Sequence, residues 1–259
     1  RRFGADRGRL PAHLRAPGRA LKRIAALLLL AGCGHITVPL AGEGSGTRTL
    51  PARVLPVATP GRSMAVVLTG DGAVAGLADR LARDIHTAGI PVVVWSSTRY
   101  YRTPRTPDEA AGDLDRVIRH YGAAWKRERV LVVGYSMGAD VAPFLINRLP
   151  PATRARVGAA ALIAMAHDAI FEFHVHQWWG PSSAPSLATR PEIERLRSLR
   201  IVCIHGRGDR LGACPEMKTS GMAVVELRGG HHFRGDGKRL SRVVVDLARA
   251  VESADTVER

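Results

Sequence analysis

Ser136 stands between two glycines in the stretch VLVVGYSMGAD (130–140), directly after a run of apolar residues. A serine hydroxyl is a poor nucleophile until a base takes its proton, and the base in turn needs an acid to orient it. Groups of both kinds occur downstream. Gly206-Arg207-Gly208-Asp209 offers a carboxylate, and Gly229-Gly230-His231-His232-Phe233 offers two imidazoles. Ser136, Asp209 and His231 are therefore the expected catalytic set. His232 is the rival base, and Asp236 is a rival acid that falls after the histidines. In a Gly-x-Ser-x-Gly arrangement the Ser occupies a sharp strand-to-helix corner, where larger neighbours would collide. A helix that opens at Met137 would aim that residue's N–H at developing negative charge, as one half of an oxyanion hole.

Positioning these groups requires particular elements. Apolar, often β-branched runs occur at 64–70, 90–95, 130–135, 159–166, 200–206 and 222–227. They lack strict alternation, which suits strands buried on both faces of a parallel sheet. Helix-like segments lie between them at 76–88, 107–125, 137–149 and 238–251, the second opening on Pro107-Asp108-Glu109. Alternating strands and helices imply right-handed crossovers and a doubly wound, mostly parallel α/β sheet. Ser136, Asp209 and His231 each follow a later strand, in the chain order nucleophile, acid, base. That order is the one expected of an α/β-hydrolase fold, here without a large cap domain. The Gly-His-x-Phe ending common in such hydrolases matches Gly230-His231-His232-Phe233 and favours His231. The second oxyanion donor is expected after the first core strand, in Leu68-Thr69-Gly70-Asp71-Gly72, at the N–H of Asp71 with Gly72 next.

The amino-terminal part has a different character. The chain has 259 residues and a formal net charge of +15, of which residues 1–33 carry +7. The rest is a diffuse basic surface that favours anionic partners such as phospholipid headgroups. No zinc-finger spacing or basic run interleaved with aromatics is present, so no nucleic-acid module is expected. Lys22–His35, KRIAALLLLAGCGH, has a basic head and an apolar run too short to span a bilayer, as in an export signal. Its Leu30-Ala31-Gly32-Cys33 ending resembles a bacterial lipobox and predicts lipidation of Cys33. Residues 34–60 read as a tether with at most one edge strand near 49–57, and 61–259 as the hydrolase domain. No Met precedes Met64. Cys203 and Cys214 are then an even pair in an exported chain and predict a disulfide enclosing Asp209. The excursion 167–190 is dense in aromatics, including Phe171, Phe173, Trp178 and Trp179, and forms either a packed loop or the wall of an apolar site. His174 and His176 would share one side of a strand, yet no third ligand stands at a telling spacing. No metal and no cofactor is called for.

The combination of motifs resembles the family of the bacterial virulence protein VirJ and the C-terminal domain of its relative AcvB. The resemblance rests on Gly70-Asp71-Gly72, Arg99-Tyr100-Tyr101, Arg105-Thr106-Pro107, Asp113-Leu114 and Gly134 to Asp140. It continues through Asn147-Arg148-Leu149-Pro150, Phe171-Glu172-Phe173-His174, Cys203, Cys214-Pro215 and Gly229 to Phe233. Where members commonly carry Gly-Asp-Gly-Gly-Trp, this chain has Gly70-Asp71-Gly72-Ala73-Val74. The resemblance implies an exported, periplasmic serine hydrolase that splits the aminoacyl ester of lysyl-phosphatidylglycerol, with a link to type IV secretion and virulence. Its implied partners are aminoacylated or other anionic phospholipid, a membrane reached by the lipid anchor, and secretion-system proteins. Trp178 would meet acyl or glycerol parts of the lipid, and Asp140, Glu172 or Asp71 would face the lysyl ammonium. For each carboxylate, helix capping or a structural ion pair is the competing reading. The competing function is a non-catalytic periplasmic factor that assists secretion on a hydrolase scaffold.

Overall fold

The computed structural model describes residues 37–40, 48–70, 75–173, 185–220 and 222–254. The chain divides into Arg1–Cys33, which lies outside the described residues, and a unit spanning Gly34–Arg259. The strands of that unit are β1 (Thr37–Leu40), β2 (Arg48–Leu55), β3 (Ser63–Leu68), β4 (Val92–Trp95) and β5 (Arg129–Tyr135), followed by β6 (Val157–Ile163), β7 (Asp168–Ile170), β8 (Ser186–Ala188), β9 (Arg200–Gly206) and β10 (Ala223–Leu227). The helices are α1 (Ala75–Thr87), α2 (Ser97–Tyr100), α3 (Pro107–Ala124), α4 (Met137–Asn147), α5 (Pro151–Arg154), α6 (Thr189–Glu194) and α7 (Gly237–Ser253).

Eight strands form one sheet in the order β1-β2-β4-β3-β5-β6-β9-β10. The pairs from β4 to β10 are parallel, and β2 runs antiparallel to both β1 and β4. Each expected core strand and helix is present, with ends shifted by a few residues. Successive side chains of a strand point to opposite faces, so each strand serves two cores. Ala65, Val67, Leu131 and Val133 pack with α1 and α7. Met64, Val66, Val130 and Val132 pack with α3 and α4 on the other face. Burial on both faces explains the unbroken apolar runs. Thr106 and Glu109 form a capping box at the start of α3: Glu109 N–H donates to Thr106 Oγ1 at 3.1 Å, and Thr106 N–H donates to Glu109 Oε2 at 2.9 Å.

Two expectations change. The stretch read as a tether with at most one edge strand near 49–57 supplies that strand as β2 and a second one, β1, and β2 is internal because β1 covers its far side. Its Arg48–Leu55 segment is short and interrupted by Pro51, so local pattern gave only a weak strand signal. The excursion after β6 contains the small β7–β8 sheet and α6, elements too short to show periodicity. Residues 174–184, with Trp178, His174 and His176, lie outside the described residues, as do Cys33 and Asp71.

The chain crosses from β3 to β4 on one side and returns to β5 on the other. The carboxyl ends of β3 and β5 are thus the point where the winding reverses and a crevice opens in open α/β sheets.

Candidate active site

Ser136 links β5 to α4 with φ 52° and ψ −126°, a conformation that costs a non-glycine residue roughly 1–3 kcal/mol. Its N–H donates to the carbonyl of Ile163 at 2.9 Å, which ties the corner to β6. The flanking glycines have steric reasons. A Cβ on Gly134 would sit 2.4 Å from the Gly138 carbonyl oxygen, and one on Gly138 would sit 2.2 Å from the Leu68 carbonyl oxygen. Neither backbone atom can yield without opening the corner. Met137 is the first residue of α4, where a backbone N–H has no acceptor within the helix.

Asp209 and His231 come from loops knitted to each other. Gly208 N–H donates to the Gly229 carbonyl at 2.9 Å, and Arg207 N–H to the Leu227 carbonyl at 2.8 Å. A Cβ on Gly206 would meet the Gly230 carbonyl oxygen at 2.3 Å, so the two loops touch backbone to backbone. Gly229 turns the chain with φ 89°, and the wholly buried Phe233 pins the loop into the core beside α7. The disulfide Cys203–Cys214 joins β9 to the 3-10 helix Cys214–Ser220, and both cysteines are fully buried. Asp209 lies inside the loop it closes. A cross-link over a short loop of this kind contributes about 3 kcal/mol in the chain-entropy account.

The three side chains form a continuous hydrogen-bonded line. Ser136 Oγ is 2.9 Å from His231 Nε2, and His231 Nδ1 is 3.0 Å from Asp209 Oδ2. With its proton on Nδ1, the imidazole donates to Asp209 and accepts from the Ser136 hydroxyl, so one tautomer satisfies both contacts. The Asp209 side chain is 3% exposed, and its Oδ1 accepts the N–H of Leu211 at 3.2 Å. His232 points elsewhere: its Nδ1 is 2.8 Å from the Tyr135 hydroxyl. Asp236, the rival acid, accepts the Arg228 N–H at 2.9 Å, at the entry to α7.

The expected substrate contacts divide. Asp140 Oδ1 accepts the Ala166 N–H at 2.7 Å and so fastens α4 to the chain leaving β6. That bond supports the structural reading of Asp140. Glu172 is half-buried in an open cleft of about 280 Å³, with Arg105, Phe171 and Leu187 among its walls. Sequence reasoning missed what lies under this cleft. Trp95, Tyr100, Tyr101, Phe171 and Phe144 stack edge to face in series. Tyr100 donates to Asp113 Oδ2 at 2.5 Å. Burial, reinforced at Tyr100 by the bond to Asp113, pushes both adjacent phenols far above their usual range and keeps them neutral. The aromatic density was visible; the pairing across 70 residues was not. No group of metal-ligating side chains occurs among the described residues.

A serine at the strained end of a central strand, backed by a His and an Asp from the next loops of a doubly wound sheet, defines the α/β-hydrolase fold. Solved structures bear this out. The chain is similar to Est1E from Butyrivibrio proteoclasticus, with 11% identity, 84% of this chain and 99% of that one covered, and a TM-score of 0.61. It is likewise similar to a hyperthermophilic esterase from the archaeon Pyrobaculum calidifontis, at 18% identity, 84% of each chain and a TM-score of 0.54. A monoacylglycerol lipase from Paleococcus ferrophilus aligns at 14% identity over 77% of this chain and 98% of that one, with a TM-score of 0.51. At such identities the likeness establishes the fold. No curated protein matches at a significant level. The family model of the bacterial virulence protein VirJ matches residues 62–252, and the chain belongs to that family.

Proposed function

We propose that the protein is a serine hydrolase that cleaves a carboxylic ester through an acyl-enzyme on Ser136. The ester in this reading is the aminoacyl ester of lysyl-phosphatidylglycerol. The observation that carries the chemistry is the line Ser136–His231–Asp209, held at hydrogen-bonding distance on a strained corner. A scaffold that served only as a partner for other proteins would have no use for the roughly 1–3 kcal/mol of backbone strain stored there. Membership in the VirJ family supports the choice of substrate.

Ser136 Oγ attacks the acyl carbonyl while His231 Nε2 takes its proton, and Asp209 stabilises the imidazolium that results. The Met137 N–H faces the oxyanion, with Asp71 assigned as the second donor. His231 then returns the proton to the glycerol oxygen, and phosphatidylglycerol leaves. A water, deprotonated by the same imidazole, releases lysine from Ser136. We place this reaction on the periplasmic side of a membrane, with Cys33 as the lipidated anchor.

The test is lysine release from lysyl-phosphatidylglycerol vesicles, run beside hydrolysis of a soluble activated ester. Ser136→Ala is expected to lower both rates about 10⁴-fold or more with the fold intact. Undiminished release by Ser136→Ala would overturn the mechanism. Ester turnover without lysine release would overturn the substrate alone. If wild-type protein performs neither reaction, the non-catalytic secretion factor is the better reading.

A further inference from the structure

The described residues contain two large hydrophobic side chains that are markedly exposed, Leu211 at 75% and Leu187 at 38%. Both belong to segments that follow the carboxyl ends of parallel strands, the edge that carries Ser136. Leu211 follows Asp209 in the loop after β9, and Leu187 sits on β8, within the excursion after β6. The segments that follow the same strand ends carry exposed arginines: Arg99 on α2 and Arg102 just after it, Arg210 after β9 and Arg234 after β10. Among the described residues none of these four is ion-paired. Among the described residues, the exposed carboxylates that accompany them are Asp108 and Glu109 in the first turn of α3, Asp168 on β7 and Glu216 after β9. Asp108 faces Arg148 at 3.6 Å, Glu109 accepts the Thr106 N–H, and Glu216 faces His167 at 3.6 Å.

The path of the chain leads to the same edge. In the antiparallel register Ala52 lies opposite Trp95, the last residue of β4, so residues 48–51 continue past the end of that strand. β1 pairs with those residues, with Thr37 opposite Pro51. All of β1 therefore lies level with or beyond the carboxyl edge.

We propose that the carboxyl edge is a docking surface for an anionic phospholipid bilayer, with Leu187 and Leu211 entering the interface and Arg99, Arg102, Arg210 and Arg234 meeting the headgroups. This deepens the reading of the protein as a lipid-ester hydrolase, because it turns the mouth of the Ser136 site toward the membrane. Each basic side chain near an anionic surface strengthens attachment severalfold, and the effect fades within a Debye length of about 10 Å. Charges on the opposite edge are therefore out of reach.

The test compares two sets of charge reversals in the full chain carrying Cys33→Ser and Ser136→Ala. Binding is thus measured without a lipid anchor and independently of whether any ester is cleaved. One set is Arg99→Glu, Arg102→Glu, Arg210→Glu and Arg234→Glu. The other is Lys126→Glu, Arg129→Glu, Arg197→Glu and Arg200→Glu, at the amino ends of β5 and β9. Both change net charge equally. Co-sedimentation with vesicles of mixed phosphatidylcholine and phosphatidylglycerol should fall about tenfold or more for the first set and stay within about threefold for the second. Leu211→Asp should weaken binding further at high salt, where the ionic part is screened. Equal losses from the two sets would mean a diffuse cationic surface and overturn the proposal, as would equal binding to phosphatidylcholine alone. Thermal melts report folding, and the matching Arg→Gln set replaces the first if reversal unfolds the chain.

Discussion

At residue scale, the corner at Ser136 sets stability against chemistry. Its positive φ is a conformation glycine adopts freely and alanine does not. Ser136→Gly should therefore be more stable than Ser136→Ala by about 1 kcal/mol, after the extra freedom of glycine in the unfolded chain is counted. Differential scanning calorimetry should read this as a Tm higher by roughly 2–4 °C. The two histidines should separate as cleanly. His231 bridges Ser136 and Asp209, whereas His232 bonds to Tyr135. His231→Ala should cost an ester assay about 10³-fold or more, and His232→Asn less than about tenfold. The reverse ranking would reassign the base.

At the scale of elements, two fastenings join separate segments of the chain. The disulfide anchors the loop that bears Asp209. Cys203→Ala with Cys214→Ala should lose about 3 kcal/mol in guanidinium unfolding. The other fastening is Glu252, near the end of α7, which binds the entry to β3. It accepts the N–H groups of Arg62 and Ser63 at 2.7 Å each, together with the Ser63 hydroxyl. Burial alone would raise its carboxyl pKa, but these bonds and the nearby Arg127 outweigh that and hold it below the usual carboxylate value. A depressed folded pKa means stability that is present above the unfolded value and lost as pH falls through the folded one. Glu252→Gln should thus melt earlier at neutral pH. The difference is about 1 kcal/mol or less, discounted because the group is partly solvated. It should shrink as pH falls below the ordinary carboxylate range; a gap that persists in acid would exclude the ionised carboxylate as its source.

At the scale of the molecule, the family match begins at residue 62, yet the sheet begins earlier. β2 covers the edge of β4, whose four residues are all buried. A chain started at residue 58 would present that apolar edge to solvent, a template for pairing with another copy. Size-exclusion chromatography should show it as oligomer or aggregate, while a start at residue 34 should stay dispersed. A dispersed monomer from the shorter chain would mean that β2 is dispensable.

The sequence by itself determined the parts that depend on local repetition and chain order. Runs buried on both faces have a distinctive composition, which made the six parallel strands legible. The order Ser136, Asp209, His231 follows from strand succession, which made the candidate site legible before any distance was known. Tertiary structure decided what depends on contact between distant segments. It placed His231, and not His232, between Ser136 and Asp209, because the β9 and β10 loops meet backbone to backbone. It gave Asp140 a backbone partner at Ala166. It also turned a Gly- and Pro-rich stretch into two strands, because a short strand is defined by its partner's hydrogen bonds and not by its own pattern.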